Sequence, residues 1–459
     1  MAETRKSHSI DMCSGPMGKQ IISFVIPIMV SNILQSLFNT ADLIVVSKFC
    51  GSHALAAVGS TGTFINLLLG LFIGISTASN VIAAKQIGER NFEGVHKTVH
   101  TSILLGLVGG VFLSVLGILV CRTMLTIMGS PSDVIDLSEL YLKIYFLGMP
   151  ASLVYNFGSS ILRAKGDTKR PLYIITLAGA ANVCLNLFLV IVFKRSVDGV
   201  AIATITSQYI SAFLVLRCLI TDSDSTHFDF RYLKFDRRTL VSLLKFGIPA
   251  GFQGMMFTLS NMTVQSSVNS FGSNTMAAYA AASNLQGFLW IAANSFYQSN
   301  MTFTSQNLGA GKWDRINRSL KLNLLYGVSL CIVLGVSAYA FGSKLLTIYL
   351  SDASLISEAL QITKFTMLPI FLICIMDTIN GSARGLGYTT LPMICSLIGT
   401  CALRVIWILT VFKKFHTKNV LFAVYPVSWI VTIILYTISL IYIYRKTKRQ
   451  WEMENSQKQ

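Results

Sequence analysis

Long apolar runs separated by short polar breaks repeat along almost the whole chain. A helix needs roughly 20 mostly apolar residues to cross the hydrocarbon core of a bilayer, and the runs reach that length. Between their loop signals they predict helices near 20–47, 54–83, 96–121, 136–162, 170–193 and 197–220. A polar stretch, TDSDSTHFDFRYLKFDRRT, follows. A second set is predicted near 240–268, 276–303, 319–341, 355–382, 391–412 and 419–444, closed by the polar tail RKTKRQWEMENSQKQ. The expected fold is an all-α integral membrane protein with twelve transmembrane helices.

The two sets repeat at a nearly constant offset. FVIP at 24–27 matches FGIP at 246–249, and Asn39 falls on Asn261, both 222 residues on. The offset then settles at 221, pairing Gly88 with Gly309, LTI at 125–127 with LTI at 346–348, and Arg163, Gly166 and Pro171 with Arg384, Gly387 and Pro392. Such self-similarity marks an internal repeat in a transporter. The expected division is an N-terminal six-helix lobe with its linker over 1–230, and a C-terminal lobe with its tail over 231–459. Six is even, so both lobes run in the same direction about an axis along the membrane normal, with a cavity expected between them.

Basic residues orient the chain, because cytoplasmic loops hold the excess of Lys and Arg. The N-terminal segment, the loops after even-numbered helices and the tail hold 26 of the 37, the opposite loops eight. Both termini are therefore expected in the cytoplasm of a cell-membrane protein. Lys143, Lys364 and Arg404 remain, within or near helix ends.

Composition narrows the picture further. With 53% hydrophobic and 12% charged residues, the balance suits lipid and leaves no room for a soluble catalytic domain. The net charge of +17 raises nucleic acid as a partner, but the basic residues sit in short loops rather than on one polar face or tail. The nine cysteines are scattered without a CxxC pair and read as apolar fillers. The polar start, MAETRKSHSIDMCSGP, lacks the apolar stretch and cleavage site of a signal peptide, so helix one is expected to direct insertion. The six histidines (8, 53, 96, 100, 227 and 416) fall at loops or helix ends, against a membrane-embedded enzyme, which needs clustered acid-base or metal-binding groups at membrane depth.

A charged residue inside such a helix costs at least about 2.5 kcal/mol and usually faces a cavity or partner. Asp42 is the clearest case. With Asn32, Gln35 and Asn39 it forms one polar stripe at helical three-and-four spacing in helix one. In the fifth helix Asn182 and Asn186 share a face. Hard cations take oxygen ligands, so a carboxylate with Asn carbonyls suits sodium. A proton needs only the carboxylate, which at that depth can bind and release it near neutral pH. The alternative is a polar clamp between helices.

Helix seven carries a comparable stripe, Gln253, Asn261, Gln265 and Asn269, but Val264 stands where Asp42 does. Gln35, Asn39, Gln253, Asn261 and Asp377 are candidate cavity residues, and Asp377 with Arg404 equally reads as a charge pair that helps fold the second half. Pro27, Pro150, Pro249 and Pro369 should bend their helices. Gly70 with Gly74, and Gly106 with Gly110, read as close helix packing. Phe38, Tyr155, Phe288, Trp290 and Tyr297 can line a site for flat cations or simply pack.

Over essentially its whole length the chain resembles the multidrug and toxic compound extrusion (MATE) transporters. The resemblance is carried by IPIMVSNILQSLFNTADLIVVSKFCG in helix one, AAKQIGERNF after helix two, ILRAKGDTKRP after helix four, GVAIATITSQ in helix six and SARGLGYTTLP in the second half. It implies two six-helix lobes, a central cavity open alternately to each side, and export of small drugs or metabolites, often cationic, by antiport with Na+ or H+. It also implies that Asp42 is the acidic residue of the first lobe, Asn182 the fifth-helix asparagine and Thr204 a sixth-helix ligand. Members often have Asp at the position of Asn186, and some a helix-seven glutamate that this chain lacks. Expected partners are the transported compound, the coupling ion and membrane lipid, with no cofactor, no nucleic acid, and a monomer as the expected form. The runner-up function is a lipid-linked saccharide flippase of the same broad superfamily, which should need a cationic cavity.

Overall fold

The structure, a computed structural model, describes residues 9–127, 129, 131 and 134–456. Arg5, Lys6 and His8 of the N-terminal segment lie outside the described residues. The first six predicted helices are α1 (Met17–Phe49), α2 (Ser52–Gly88), α3 (Phe92–Ile127), the pair α4 (Ile135–Leu147) and α5 (Met149–Ala164), α6 (Lys169–Leu187), which runs on into a π-turn at Phe188–Val192, and α7 (Val197–Thr221). The second six are α8 (Arg237–Asn269), α9 (Ser273–Gly309), α10 (Trp313–Ala340) with the short α11 (Gly342–Leu346), the pair α12 (Ala353–Thr366) and α13 (Ile370–Gly385), then α14 (Thr390–Ser396), α15 (Leu403–Trp407) and α16 (Lys413–Phe415) strung together by π-turns at Leu397–Ala402 and Ile408–Phe412, and α17 (Lys418–Ser456).

Ten of these stretches are individually long and apolar enough to cross a membrane. The other two predicted spans, the fourth and the eighth, are not among them. The fourth helix is broken at Gly148 and restarts with Pro150 in the first turn of α5, where the missing proline N–H has no helical partner to lose. Helix α9 is long enough at 37 residues, but Asn, Gln, Ser and Thr along its length lower its hydropathy. The tenth helix also breaks, at Met367 to Pro369, between α12 and α13. Pro27 and Pro249 stay inside α1 and α8.

The repeat is written into the backbone. Helices α2 and α9 have 37 residues each, and α5 and α13 have 16. Left-handed residues recur at the same offset: Gly51 (φ 86°) and Gly272 (φ 93°), Arg90 (φ 57°) and Gly311 (φ 67°), Gly166 (φ 91°) and Gly387 (φ 92°). A left-handed turn strongly prefers glycine, so both halves reuse the same chain reversals.

The chain forms two compact units: Met1–Asp11 with Val30–Gly251, and Met12–Met29 with Phe252–Gln459. Each of α1 and α8 changes unit two residues after its internal proline. In the first unit, helices meet where side chains are missing. A Cβ on Gly74 would lie 2.2 Å from the Gly251 nitrogen, and one on Gly110 2.3 Å from Pro150 Cα. Gly106 faces Phe157. The polar stretch 221–239, expected as a linker, packs onto this unit: Phe228 is fully buried, and Lys165 and Arg170 pair with Asp222, Asp224 and Asp167. Burial pushes the Asp224 carboxyl up, but hydrogen bonds from Thr226 and the charge of Lys165 outweigh it and hold the group below its ordinary 3.8.

In the second unit, Asn300 Nδ2 donates to Thr378 O (2.8 Å) and Ser382 Oγ (2.7 Å), tying α9 to α13. Arg315 donates to the carbonyls of Met12, Ser14 and Gly15, fixing the chain that enters α1. The expected polar tail remains helical to Ser456, because Trp451 packs edge-on against Trp313 at 6.1 Å. All nine cysteines are free. Only Cys121, Cys331, Cys374 and Cys395 are buried as apolar fillers should be, while Cys184 is exposed.

Candidate functional site

The first unit's site begins with a close approach of two helices. Gly179 on α6 faces Phe38 on α1, and a Cβ there would lie 1.9 Å from the ring, so only glycine admits this contact. One turn further along both helices the polar residues meet. Asn186 Nδ2 donates to Asp42 Oδ1, and the Asn182 side chain is hydrogen-bonded to the same carboxylate. Asn182 is 4% exposed and Asn186 fully buried. The amide oxygens of both, Asn182 Oδ1 and Asn186 Oδ1, are buried without a hydrogen-bond partner. An unpaired buried polar group costs about 1–3 kcal/mol, and here two of them lie beside a carboxylate. A carboxylate and two amide oxygens are hard donors suited to an alkali cation, and the carboxylate alone to a proton. Among the described residues no basic side chain pairs with Asp42.

Other predicted residues are placed differently. Gln35 and Asn39 share the Asp42 face of α1 and are exposed. The Thr204 hydroxyl donates to Val200 O (2.9 Å) within α7. Sequence reasoning missed Tyr141 and Tyr145 on α4, whose stacked rings lie 5.9 Å apart and close enough to feel the charge of Asp42. Tyr145 is hydrogen-bonded to Gln208, which in turn fills the space over Gly148 at the break of the fourth helix. The four-residue spacing of the two tyrosines in YLKIYF was the available signal.

The second unit holds a different network. Gln253 donates through Nε2 to Tyr436 OH (2.9 Å) and accepts through Oε1 from Arg384 (2.8 Å), and Arg384 also donates to Tyr297 OH (2.7 Å). Asp377, half-buried, accepts from Trp290 and lies within electrostatic reach of Arg384. The expected pairing of Asp377 with Arg404 is not formed. Arg404, 1% exposed, donates instead to Asn261 Oδ1 (2.7 Å) and Ser428 Oγ (3.1 Å). Its guanidinium lies over the rings of Tyr425 (4.8 Å) and Phe257 (5.3 Å). Asp377 found a nearer cation in Arg384, seven residues on along its own helix. Gln265 and Asn269 are bonded to each other at 3.0 Å. Among the described residues no cluster of His, Cys, Asp and Glu suits a metal ion.

The MatE family model matches residues 27–188 and 249–409, one match in each repeat. The chain is 28% identical over 422 residues to a probable multidrug resistance protein, YoeA, of Bacillus subtilis (strain 168), covering 90% of this chain and 91% of that one. It is 25% identical to an FAD transporter of Shewanella oneidensis, over 74% of this chain and 76% of the other. Its fold superposes with a TM-score of 0.89 on the crystal structure of a MATE in complex with MaL6, at 18% identity, covering 95% of this chain and 98% of that one.

Proposed function

This chain belongs to the MatE family of multidrug and toxic compound extrusion transporters, and on that premise we propose that it exports small organic, often cationic, compounds by antiport with Na+ or H+. The observation that carries the coupling is the Asp42 carboxylate held by two buried asparagines whose own carbonyl oxygens are unpaired. A bare carboxylate among apolar helices is costly, and an entering cation relieves that cost. The bound and free forms of the site therefore favour different arrangements of the helices that meet there, and a cation gradient can bias the equilibrium between inward-open and outward-open states. Asn182 and Asn186 serve as oxygen ligands for Na+ or as hydrogen-bond partners for the protonated acid, and Thr204 completes the set from α7. Gln35, Asn39, Gln253, Asn261 and Asp377 line the path of the exported compound. The repeated halves, 1–230 and 231–459, act as the two lobes of a monomer in the cell membrane, with both termini cytoplasmic.

Ethidium efflux from vesicles containing the wild type or Asp42→Asn, with sodium and proton gradients imposed separately, tests this reading. Efflux that needs one gradient and is lost in the variant supports it and names the ion. Efflux unchanged in Asp42→Asn removes the coupling role. The FAD-transporting relative argues for a flavin arm in the same assay. Absence of efflux in every arm, with transbilayer movement of a lipid-linked saccharide, replaces this reading by the flippase.

A further inference from the structure

The two repeats can be brought into structural register across the helices that build the Asp42 site. Along α1 and α8 the sequence match places Phe38 on Ser260, Asn39 on Asn261 and Asp42 on Val264. Along α6 and its counterpart the offset is one smaller at Pro171 and Pro392. The π-turn at Leu397–Ala402 then inserts one residue that the regular α6 lacks, since a π-turn closes on i+5 rather than i+4. Gly179 then falls on Cys401 near the end of that turn, and beyond it Asn182 falls on Arg404 and Asn186 on Ile408. An independent contact supports this register. Phe38 touches Gly179 in the first unit, and the matching residues Ser260 and Cys401 lie side by side in the second, where the Cys401 thiol donates to Met256 O (3.4 Å).

In this register a guanidinium stands where the first unit has a cation-binding amide. The acid is gone, replaced by the fully buried Val264. Arg404 is buried, is paired with no carboxylate among the described residues, and reaches back one turn to Asn261, the counterpart of Asn39. Its positive charge is held by the kind of donors a pocket for a cation would offer: an amide oxygen at 2.7 Å, a hydroxyl oxygen at 3.1 Å and two aromatic faces. A buried charge without a counter-ion is expensive and is rarely retained without a role.

We propose that Arg404 is a tethered cation that fills the second unit's copy of the cation pocket, so that one exchangeable cation, at Asp42, serves each transport cycle. This rests on the coupling reading above and adds to it a stoichiometry and a reason why only one repeat keeps the acid. The second unit carries its positive charge permanently, and the first gains and loses one. The asymmetry lets a single gradient-driven event act on one repeat while its twin stays locked.

The test counts cations bound by the purified full-length protein, using radioactive sodium in one arm and proton uptake from a pH indicator in the other. The wild type should bind one equivalent, Asp42→Asn none, Val264→Asp with Arg404→Asn two, and all three substitutions together one. Two equivalents in the wild type, or no gain in a folded Val264→Asp/Arg404→Asn protein, overturns the proposal. No equivalent in the wild type but one in that double variant refutes the Asp42 reading and leaves the assignment of Arg404 standing. If the double variant does not fold, Arg404→Ala replaces it: methylguanidinium should raise its thermal midpoint saturably, with no such effect on the wild type or from equal sodium chloride. A midpoint that does not respond specifically to methylguanidinium counts against a cation-shaped pocket and sinks the proposal.

Discussion

The two repeats share their helix lengths and turn glycines yet differ in what lies at the crossing of their first and fifth helices. In the first unit a carboxylate meets two asparagines with unpaired oxygens. In the second a guanidinium is enclosed by Asn261, Ser428 and two aromatic rings. The duplicated scaffold is preserved by packing, which tolerates few changes, while the polar residues between helices have diverged to opposite charge. What this teaches is that a repeat can keep its architecture and still place opposite charges at the same crossing.

Replacing Asp42 by Asn should break the comparison most strongly, making the first unit as unresponsive to cations as the second. Gradient-driven efflux is expected to fall on the order of a hundredfold, near the upper end of ordinary coupling free energies. Initial rates in vesicles measure it, and a variant that keeps its gradient dependence would contradict the assignment. The next largest effect concerns the scaffold. Cys331 is the buried counterpart of Gly110, so the second unit accommodates a side chain that the first does not. Gly110→Cys should lower stability by about 2 kcal/mol, because Pro150 backbone atoms stand where its Cβ must go. Thermal unfolding in detergent reads this, and an unchanged midpoint would mean α3 and α5 can separate freely.

Asn186→Ala sharpens the contrast at the level of a single ligand. Loss of a hydrogen bond to a charged group is worth about 1.5 kcal/mol, so the cation concentration for half-maximal efflux should rise roughly tenfold. A shift in maximal rate alone would point to a clamp between helices. The smallest effect lies at the loop cluster around Asp224, which has no acidic match in the second half. Its carboxyl is held below 3.8, so its stabilisation is fully present above that pH and is lost as pH falls through the depressed value. The group is half-exposed and screened, which limits Asp224→Asn to less than about 1 kcal/mol at neutral pH. The difference between variant and wild type should shrink as the pH is lowered below 3.8, and a difference that grows would reverse the sign.

Much of the fold could be read directly from the chain. Apolar runs of membrane-spanning length located all twelve helical segments, and pairs such as Gly166 and Gly387 marked turns that both halves reuse. The breaks at Gly148 and Met367, and the helical tail to Ser456, were harder to see, because they depend on what packs beside them. Gln208 covers Gly148, and Trp313 holds Trp451.

The sequence by itself determined the elements, their repetition and the faces on which Asp42, Asn182 and Asn186 lie, because a 3.6-residue period dictates which side chains share a face. Tertiary structure decided which face meets which. Phe38 and Gly179 bring Asp42 against the asparagines, and Arg384 rather than Arg404 lies near Asp377. The π-turn at Leu397–Ala402 advances the residues after it by one position, a rotation of about 100°, and so carries Arg404 into the place of Asn182. Periodicity in the chain cannot reveal that rotation, since an inserted residue changes phase without changing composition.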